Sequence, residues 1–198
     1  MGVKLVSASG GSVEINPPAT ASSFTATMPA GTGNVVVNGI NGALVAATAQ
    51  NSTSGTSIDF TGIPSWVRRV TVMFNGVSTN GSSATQVQIG SGSVTTSGYV
   101  GRSGYLINAG ASSVAAATTG FATDAAGAAA EARTGVMTIT LQTGNTYVSS
   151  CQICSNSSAL FGFGNGAVTL GGTLDRIRIT TVNGTDTFDA GSINILYE

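Results

Sequence analysis

Few side chains in this sequence could perform catalysis. The chain has no histidine, which excludes a histidine general base, a Ser-His-Asp triad and histidine metal ligands. Carboxylates remain, and two of them in one groove could act as a glycosidase pair, although sequence spacing does not show which ones meet. Apart from the C-terminal Glu198, the carboxylate residues are Glu14, Asp59, Asp124, Glu131, Asp175, Asp186 and Asp189.

Asp186 and Asp189 form the closest carboxylate cluster, in the segment DTFD. A calcium loop alternates Asp or Asn and then contains Gly, and DTFD departs from that pattern. A metal site is the alternative, but we interpret the segment as a hairpin end whose aspartates accept hydrogen bonds from turn amides. We therefore predict no catalytic residue, no metal and no cofactor for this chain.

The motif Cys151-Gln-Ile-Cys154 could indicate redox chemistry or zinc binding. A zinc site needs four ligands, and the sequence offers neither a second such motif nor a histidine. A redox motif normally opens a helix, whose dipole lowers the thiol pKa, whereas VSSCQICS has the pattern of a strand. Third neighbours on a strand point to opposite faces. We predict two separate and largely inert thiols.

Trp66 and two arginines are further candidates for surface binding. Trp66 is the only tryptophan; it could stack on a sugar ring, or it could pack at the start of a strand and close one end of a sandwich, which we favour. Arg176 and Arg178 share a strand face, where aspartates or subunit contacts could satisfy them.

The composition excludes several classes of function. Only 8% of residues are charged and the net charge is -1, so the chain has no basic field for nucleic acid. It lacks the roughly twenty consecutive apolar residues of a membrane-spanning helix, and residues 1–12 are too polar for a secretory signal. We expect synthesis in a cytoplasm. Low charge leaves strand edges unprotected in a free monomer, which favours assembly.

Three regions of the sequence must position any site. Residues 1–50 contain short alternating runs broken by proline and glycine, which predicts three short strands. This region has too few large apolar residues to fold alone, so we predict that three copies wind around one axis. The predicted trimer core is Val13, Ile15, Phe24, Met28, Val35 and Val37. Residues 51–57 are a predicted polar linker, and residues 58–198 are the second domain.

The second domain shows the period-two alternation of half-buried strands. Apolar residues alternate in Val70-Val72-Phe74, Val87-Ile89, Met137-Ile139-Leu141, Ile177-Ile179 and Ile193-Ile195-Tyr197. Such strands, separated by turn signals, predict an all-β fold with an antiparallel, jelly-roll-like β-sandwich. Asn183-Gly184 predicts a tight hairpin turn between the last two strands. The Ala-rich segment 122–133 lacks an apolar stripe and predicts a loop that could contain one helical turn.

Two parts of the sequence together resemble fibre and appendage proteins of tailed bacteriophages. GSVEINPPATASSFTATMPAGTGNVVV, residues 11–37, resembles a short module of tail-fibre-like proteins. Residues 54–83, with WVRRV and FNGVS, and residues 174–198, with DTFDAGSIN, are similar to a C-terminal domain of phage virion proteins. The resemblance implies a homotrimeric virion component with an N-terminal segment that attaches to the particle, an outward β-sandwich and no catalytic residues.

From this resemblance we expect a phage structural protein, made in the bacterial host cytoplasm and located in the virion. It would be a short trimeric tail or head fibre that binds other capsid or tail proteins and whose sandwich contacts a host surface polysaccharide. A capsid decoration protein is the alternative, which the short chain favours, and a carbohydrate-active enzyme is a third. Candidate glycan contacts, chosen as polar or aromatic loop residues, are Asn75, Asn80, Tyr99, Arg102 and Tyr105.

Overall fold

The predicted all-β class is confirmed. A computed structural model of the chain describes residues 3–6, 9–10, 12–15, 44–108, 110–125, 127–129, 131–155 and 159–198. Within these residues every regular element is a β-strand, and the strand pairs are antiparallel. The chain divides into two units, Met1–Val35 and Val36–Glu198.

The first unit contains one hairpin in its described part. Strand β1 (Val3–Val6) pairs with β2 (Ser12–Ile15), and Val3 lies opposite Ile15. Of the predicted trimer core, Val13 and Ile15 belong to β2. The other four members lie outside the described residues, and their role stays a prediction: Phe24, Met28, Val35 and Val37.

The second unit is a β-sandwich. In its described residues, the larger sheet contains nine strands: β3 (Val45–Ala46), β4 (Gln50–Asn51), β6 (Arg69–Thr79), β9 (Val100–Ile107), β10 (Ser112–Ala117), β12 (Arg133–Thr143), β13 (Thr146–Ser155), β14 (Leu160–Thr169) and β16 (Phe188–Tyr197). The smaller sheet contains five: β5 (Ser57–Thr61), β7 (Thr85–Ser91), β8 (Ser93–Val94), β11 (Phe121–Ala122) and β15 (Arg176–Thr181). The larger sheet has the order β10-β9-β14-β13-β12-β6-β16-β3, with β4 also on β16, and the smaller has β11-β7-β15-β5, with β8 on β7.

The predicted alternation places one side of each strand in the core. Val70, Val72 and Phe74 of β6 are buried, and Ile177 and Ile179 of β15 belong to the same hydrophobic cluster although β15 lies in the other sheet. Burying a side chain of this size contributes about 1.5–3 kcal/mol. Burial of these apolar faces therefore stabilises the contact between the two sheets.

The predicted hairpin at Asn183-Gly184 is wrong. Strand β15 belongs to the smaller sheet and β16 to the larger, so this turn carries the chain from one sheet to the other. A two-residue hairpin turn of the predicted type needs positive φ at both central residues, but only Gly184 has it, at 70°. The Asn183 side chain instead accepts hydrogen bonds from the amides of Thr185 and Asp186, at 3.0 and 3.3 Å.

The division between the units lies upstream of the predicted linker 51–57. Strands β3 and β4 pair with β16 and so belong to the sandwich. Ser52 is fully buried, and its amide and hydroxyl donate to the carbonyls of Gly191 and Ala190. The polar composition of this segment is that of a linker. Local sequence does not reveal that its polar groups form hydrogen bonds with the backbone of a distant strand.

The Ala-rich segment before β12 is a loop, as predicted, and its described residues contain no helix. It carries a buried ion cluster: Asp124, Glu131 and Arg133 are 0%, 4% and 1% exposed. Arg133 Nε donates to Asp124 Oδ2 at 2.7 Å, and Nη2 donates to Glu131 Oε2 at 3.4 Å. Gly164 makes room for this segment, since a Cβ there would lie 2.1 Å from the Ala122 carbonyl oxygen.

Candidate functional site

The five predicted glycan contacts do not form one site. Asn75 and Asn80 are exposed, on β6 and directly after it, and Arg102 is exposed on β9. Tyr105 is half-buried and lies on the opposite face of β9 from Arg102, because the two are three residues apart on one strand. Arg102 and Tyr105 are therefore strand residues, and not loop residues as expected.

Tyr99 is a core residue, which corrects its selection as a surface contact. Its side chain is 3% exposed and packs edge-on against Phe121, with ring centroids 4.9 Å apart. The Ile89 amide donates to the Tyr99 hydroxyl at 2.9 Å, and the hydroxyl donates to the Thr95 carbonyl at 3.1 Å. Burial raises the pKa of Tyr99 to about 12, so the phenol is neutral at physiological pH.

The smaller sheet carries a polar groove of about 310 Å³, which we call the small-sheet groove. Its lining residues are mostly polar and come from neighbouring strands and turns: Thr56, Ser57, Gln86, Gln88, Thr96, Thr119, Arg178, Thr180, Thr181, Val182, Asn183 and Gly184. On β7 the glutamines alternate with the core residues Val87 and Ile89. The period-two pattern that buries one face of β7 therefore supplies the groove with amides on the other.

Part of the hydrogen-bonding capacity of the groove is used within the fold. The Thr119 hydroxyl donates to Gln86 Oε1 at 3.0 Å, and Gln88 Nε2 donates to the Thr119 carbonyl at 2.9 Å. Gln88 Oε1 and the Thr96 hydroxyl have no hydrogen-bond partner among the described residues. The groove therefore combines amides held in place by the fold with polar atoms that can still bind a ligand.

Arg178 is the only charged residue that lines this groove. Its Nε and Nη2 donate to the two carboxylate oxygens of Asp59, at 2.8 and 2.7 Å. The hydrogen bond to Asp59 raises the pKa of Arg178, so the guanidinium is always charged. Of the two alternatives for the arginines of β15, aspartates or subunit contacts, the described chain shows aspartate partners for both, since Arg176 likewise pairs with Asp175 at 2.8 Å.

Asp59 lines a second groove of about 270 Å³, which also contains Gln50 and Tyr197. Asp59 is the only carboxylate among its lining residues, and the lining of the small-sheet groove contains none. A glycosidase needs two carboxylates on either side of the scissile bond. Neither groove contains that arrangement.

Asp186 caps a turn, as predicted. The Ser83 amide donates to its Oδ2 at 2.9 Å and Asn183 Nδ2 donates to its Oδ1 at 2.6 Å. The Asn183 side chain and then the Ser83 amide lower the pKa of Asp186. Asp189 accepts a hydrogen bond from the Ser78 hydroxyl. Within the described residues, no three His, Cys, Asp or Glu side chains are placed to hold a metal ion.

The structure agrees with the interpretation of Trp66 and with the prediction that the two thiols are separate, and it buries Cys151 alone. Cys151 is buried and Cys154 exposed, on opposite faces of β13. Burial and, secondarily, the charge of Asp124 raise the pKa of Cys151 to about 12, so its thiol is not nucleophilic at neutral pH. Trp66 packs against the core, with its ring 5.9 Å from that of Tyr197.

Sequence reasoning missed the small-sheet groove, although its signal was present. Gln86 and Gln88 alternate with apolar residues, and so do Arg178 and Thr180. The register places Arg178 opposite Gln88 and Thr180 opposite Gln86. No sequence pattern reports that register, because β7 and β15 are distant in the chain.

Comparison with known proteins returned no relative: no family, no curated protein and no solved structure matches the chain. Within the described residues, no helix is long and apolar enough to cross a membrane.

Proposed function

We propose that this chain is a structural protein of a phage virion, a short homotrimeric tail or head fibre that contacts a host surface glycan. The small-sheet groove is the observation that carries the glycan part of the proposal. The resemblance of residues 11–37, 54–83 and 174–198 to phage appendage proteins supports the virion part. Other capsid or tail proteins are the proposed partners at the N-terminal segment.

The chemistry of the groove fits a weakly charged polysaccharide. Sugar hydroxyls both donate and accept hydrogen bonds. The groove offers the exposed Thr96 hydroxyl, the part of the Arg178 guanidinium that Asp59 does not bind, and the amide oxygen of Gln88, whose side chain is 6% exposed. Ligand sites combine a concave surface with a small number of placed polar groups. Since the grooves lack a carboxylate pair, binding is a better account of them than hydrolysis, and we propose no enzymatic activity and no cofactor.

A capsid decoration protein is the second candidate. In this role the N-terminal segment would attach to the capsid and the sandwich would stabilise it from outside. Electron density of the protein on the capsid facets would support decoration, and density on the tail would support the fibre.

Blocking the small-sheet groove tests the glycan proposal. Thr96 is exposed at the groove, and Thr96→Trp would fill the groove without removing a core contact. We expect the full-length protein to bind at least one member of an array of bacterial surface polysaccharides, and Thr96→Trp to weaken that binding at least about tenfold, or 1.4 kcal/mol.

The matched control is Thr143→Trp, which places the same ring on the exposed end of β12 in the larger sheet. It should bind as the wild-type protein does. Equal binding by wild type and Thr96→Trp would reject the groove as the glycan site, and no binding to any polysaccharide would favour the decoration protein.

A further inference from the structure

The larger sheet exposes apolar side chains on the side away from the core. Six members of this surface, which we call the apolar face, are 40–75% exposed: Val100, Leu106, Val114, Val136, Val148 and Phe161. They come from the five adjacent strands β10, β9, β14, β13 and β12. Leu106 lies directly opposite Phe161, which places the two side chains on the same face.

The apolar face has the area of a functional surface patch. From these exposed fractions, the six side chains together present on the order of 500 Å² of apolar area, comparable with the roughly 300–600 Å² of the largest patch on an ordinary monomer, which is often functional. One partner in a standard protein interface contributes about 800 Å². The six side chains alone therefore provide more than half of a standard interface, before their polar neighbours are counted.

Charge is almost absent from this surface. On the five strands β9, β10, β12, β13 and β14, Arg102 is the only charged residue on the outer side. It donates to the neighbouring Gly101 carbonyl at 2.9 Å, and no described carboxylate pairs with it. Interfaces between identical subunits are more apolar than the general protein surface and have few charges at their centre.

The edge of the sheet next to this surface is also open. Strand β10 pairs only with β9 among the described strands, and its sequence SSVAAA contains no charge and no proline. Natural proteins usually protect an exposed edge with lysine, proline or a bulge. An edge and a face that both lack protection indicate that this side of the sandwich is covered when the protein is assembled.

We propose that a second copy of this chain covers the apolar face. The inference rests on the homotrimer of the proposed function and assigns a surface of the sandwich to the subunit contact. Its physical basis is the apolar area, which approaches one partner's share of a stable interface, together with the missing charge. Polar residues such as Ser150, Gln152 and Asn165 lie between the apolar side chains on this face, as polar residues do in an ordinary subunit interface.

The natural thiols of the full-length protein provide the first test. Cys154 lies on the apolar face directly opposite Phe161 on the neighbouring strand, and it is exposed within one chain, whereas Cys151 is buried. Because these are the only two cysteines, the mass added by iodoacetamide to the folded protein reports on Cys154. We expect alkylation to be at least about tenfold slower in assembled protein than in dilute monomer, with the state of each sample measured by light scattering.

A charge on the apolar face provides the second test. Val136→Glu would bury a carboxylate in the subunit contact with no charged residue opposite it, since Val136 lies between Gln152 and Met73, and we expect association to weaken on the order of 100-fold. Thr61→Glu, at an exposed position of the smaller sheet, is the matched control and should assemble normally. Circular dichroism of both variants establishes that they fold.

The outcomes separate this inference from the proposed function. If the wild-type protein is a trimer but Cys154 reacts as fast as in the monomer and Val136→Glu assembles normally, the apolar face is not the interface. The subunit contacts of the trimer would then be assigned to the N-terminal segment alone. If the full-length chain is monomeric at every concentration, both the interface and the homotrimer are rejected, whereas glycan binding is tested separately by Thr96→Trp.

Discussion

Replacing Arg133 with methionine is expected to destabilise the sandwich severely. Arg133 is 1% exposed and donates to Asp124 at 2.7 Å and to Glu131 at 3.4 Å. Methionine retains most of the aliphatic volume but leaves two buried carboxylates without their cation. Removing one partner of a buried ion pair costs about 3–5 kcal/mol, which is a large part of the roughly 5–15 kcal/mol that stabilises a typical domain.

The assay is urea unfolding followed by the fluorescence of Trp66, the only tryptophan. All variants are compared at one protein concentration, since assembly contributes to apparent stability. Arg178→Met is the matched control, because Arg178 forms an equally short pair with Asp59 but both side chains are 38% exposed. An exposed pair of this kind contributes about 0–1 kcal/mol.

A double-mutant cycle identifies the cause of the loss. Asp124→Asn removes one of the two carboxylates, so the double variant with Arg133→Met should be more stable than the sum of the single losses by about 1–3 kcal/mol. Two outcomes would refute the argument that Arg133 stabilises the buried carboxylates. One is that the stability losses of the two single variants simply add in the double variant, and the other is that Arg133→Met loses no more stability than Arg178→Met.

Two further predictions concern the core. Gly164→Ala should lower the free energy of unfolding by about 1–3 kcal/mol, because its Cβ would lie 2.1 Å from the Ala122 carbonyl oxygen. The control is Gly171→Ala, whose Cβ would have nothing within 4 Å, and its thermal unfolding should resemble that of the wild type. Equal effects of the two substitutions would contradict this packing. Burial raises the pKa of Tyr99 from 10.0, and that of Cys151 from 9.0, to about 12 in the folded protein. The two neutral groups therefore contribute their full share of folding stability below pH 9, and this share is lost as pH rises toward 12. Urea unfolding should show a free energy of unfolding on the order of 3 kcal/mol lower at pH 11 than at pH 8. This difference should be smaller in Cys151→Ala. An unchanged difference in that variant would count against burial of the thiol.

Features that depend on neighbouring residues were predictable from the sequence. The alternation of Val70, Val72 and Phe74 predicted a strand with one buried side, and all three are buried. The same reasoning placed Cys151 and Cys154 on opposite faces, as observed. These predictions succeed because the two-residue period of a strand is a local property of its backbone. With turn signals between strands, that period was enough to predict an antiparallel sandwich.

The candidate site was much less predictable. Tyr99 was selected as an aromatic residue of an expected loop, but its hydroxyl accepts a hydrogen bond from the Ile89 amide in the core. The small-sheet groove depends on Gln88 lying opposite Arg178, two residues far apart in the chain. Residue type and local pattern therefore identified polar side chains but not which of them converge.

The sequence by itself determined the strands with clear alternation, β6, β7, β12, β13, β15 and β16, together with their buried sides and the low charge of the protein. Only the tertiary structure decided that Asn183-Gly184 joins two different sheets, that Ser52 belongs to the sandwich, and that Arg133 is buried. The physical reason is the range of the interactions. Alternation follows from backbone geometry within a few residues, whereas the choice of strand partner and the burial of a charge depend on hydrogen bonds and ion pairs with groups brought together only by the complete fold.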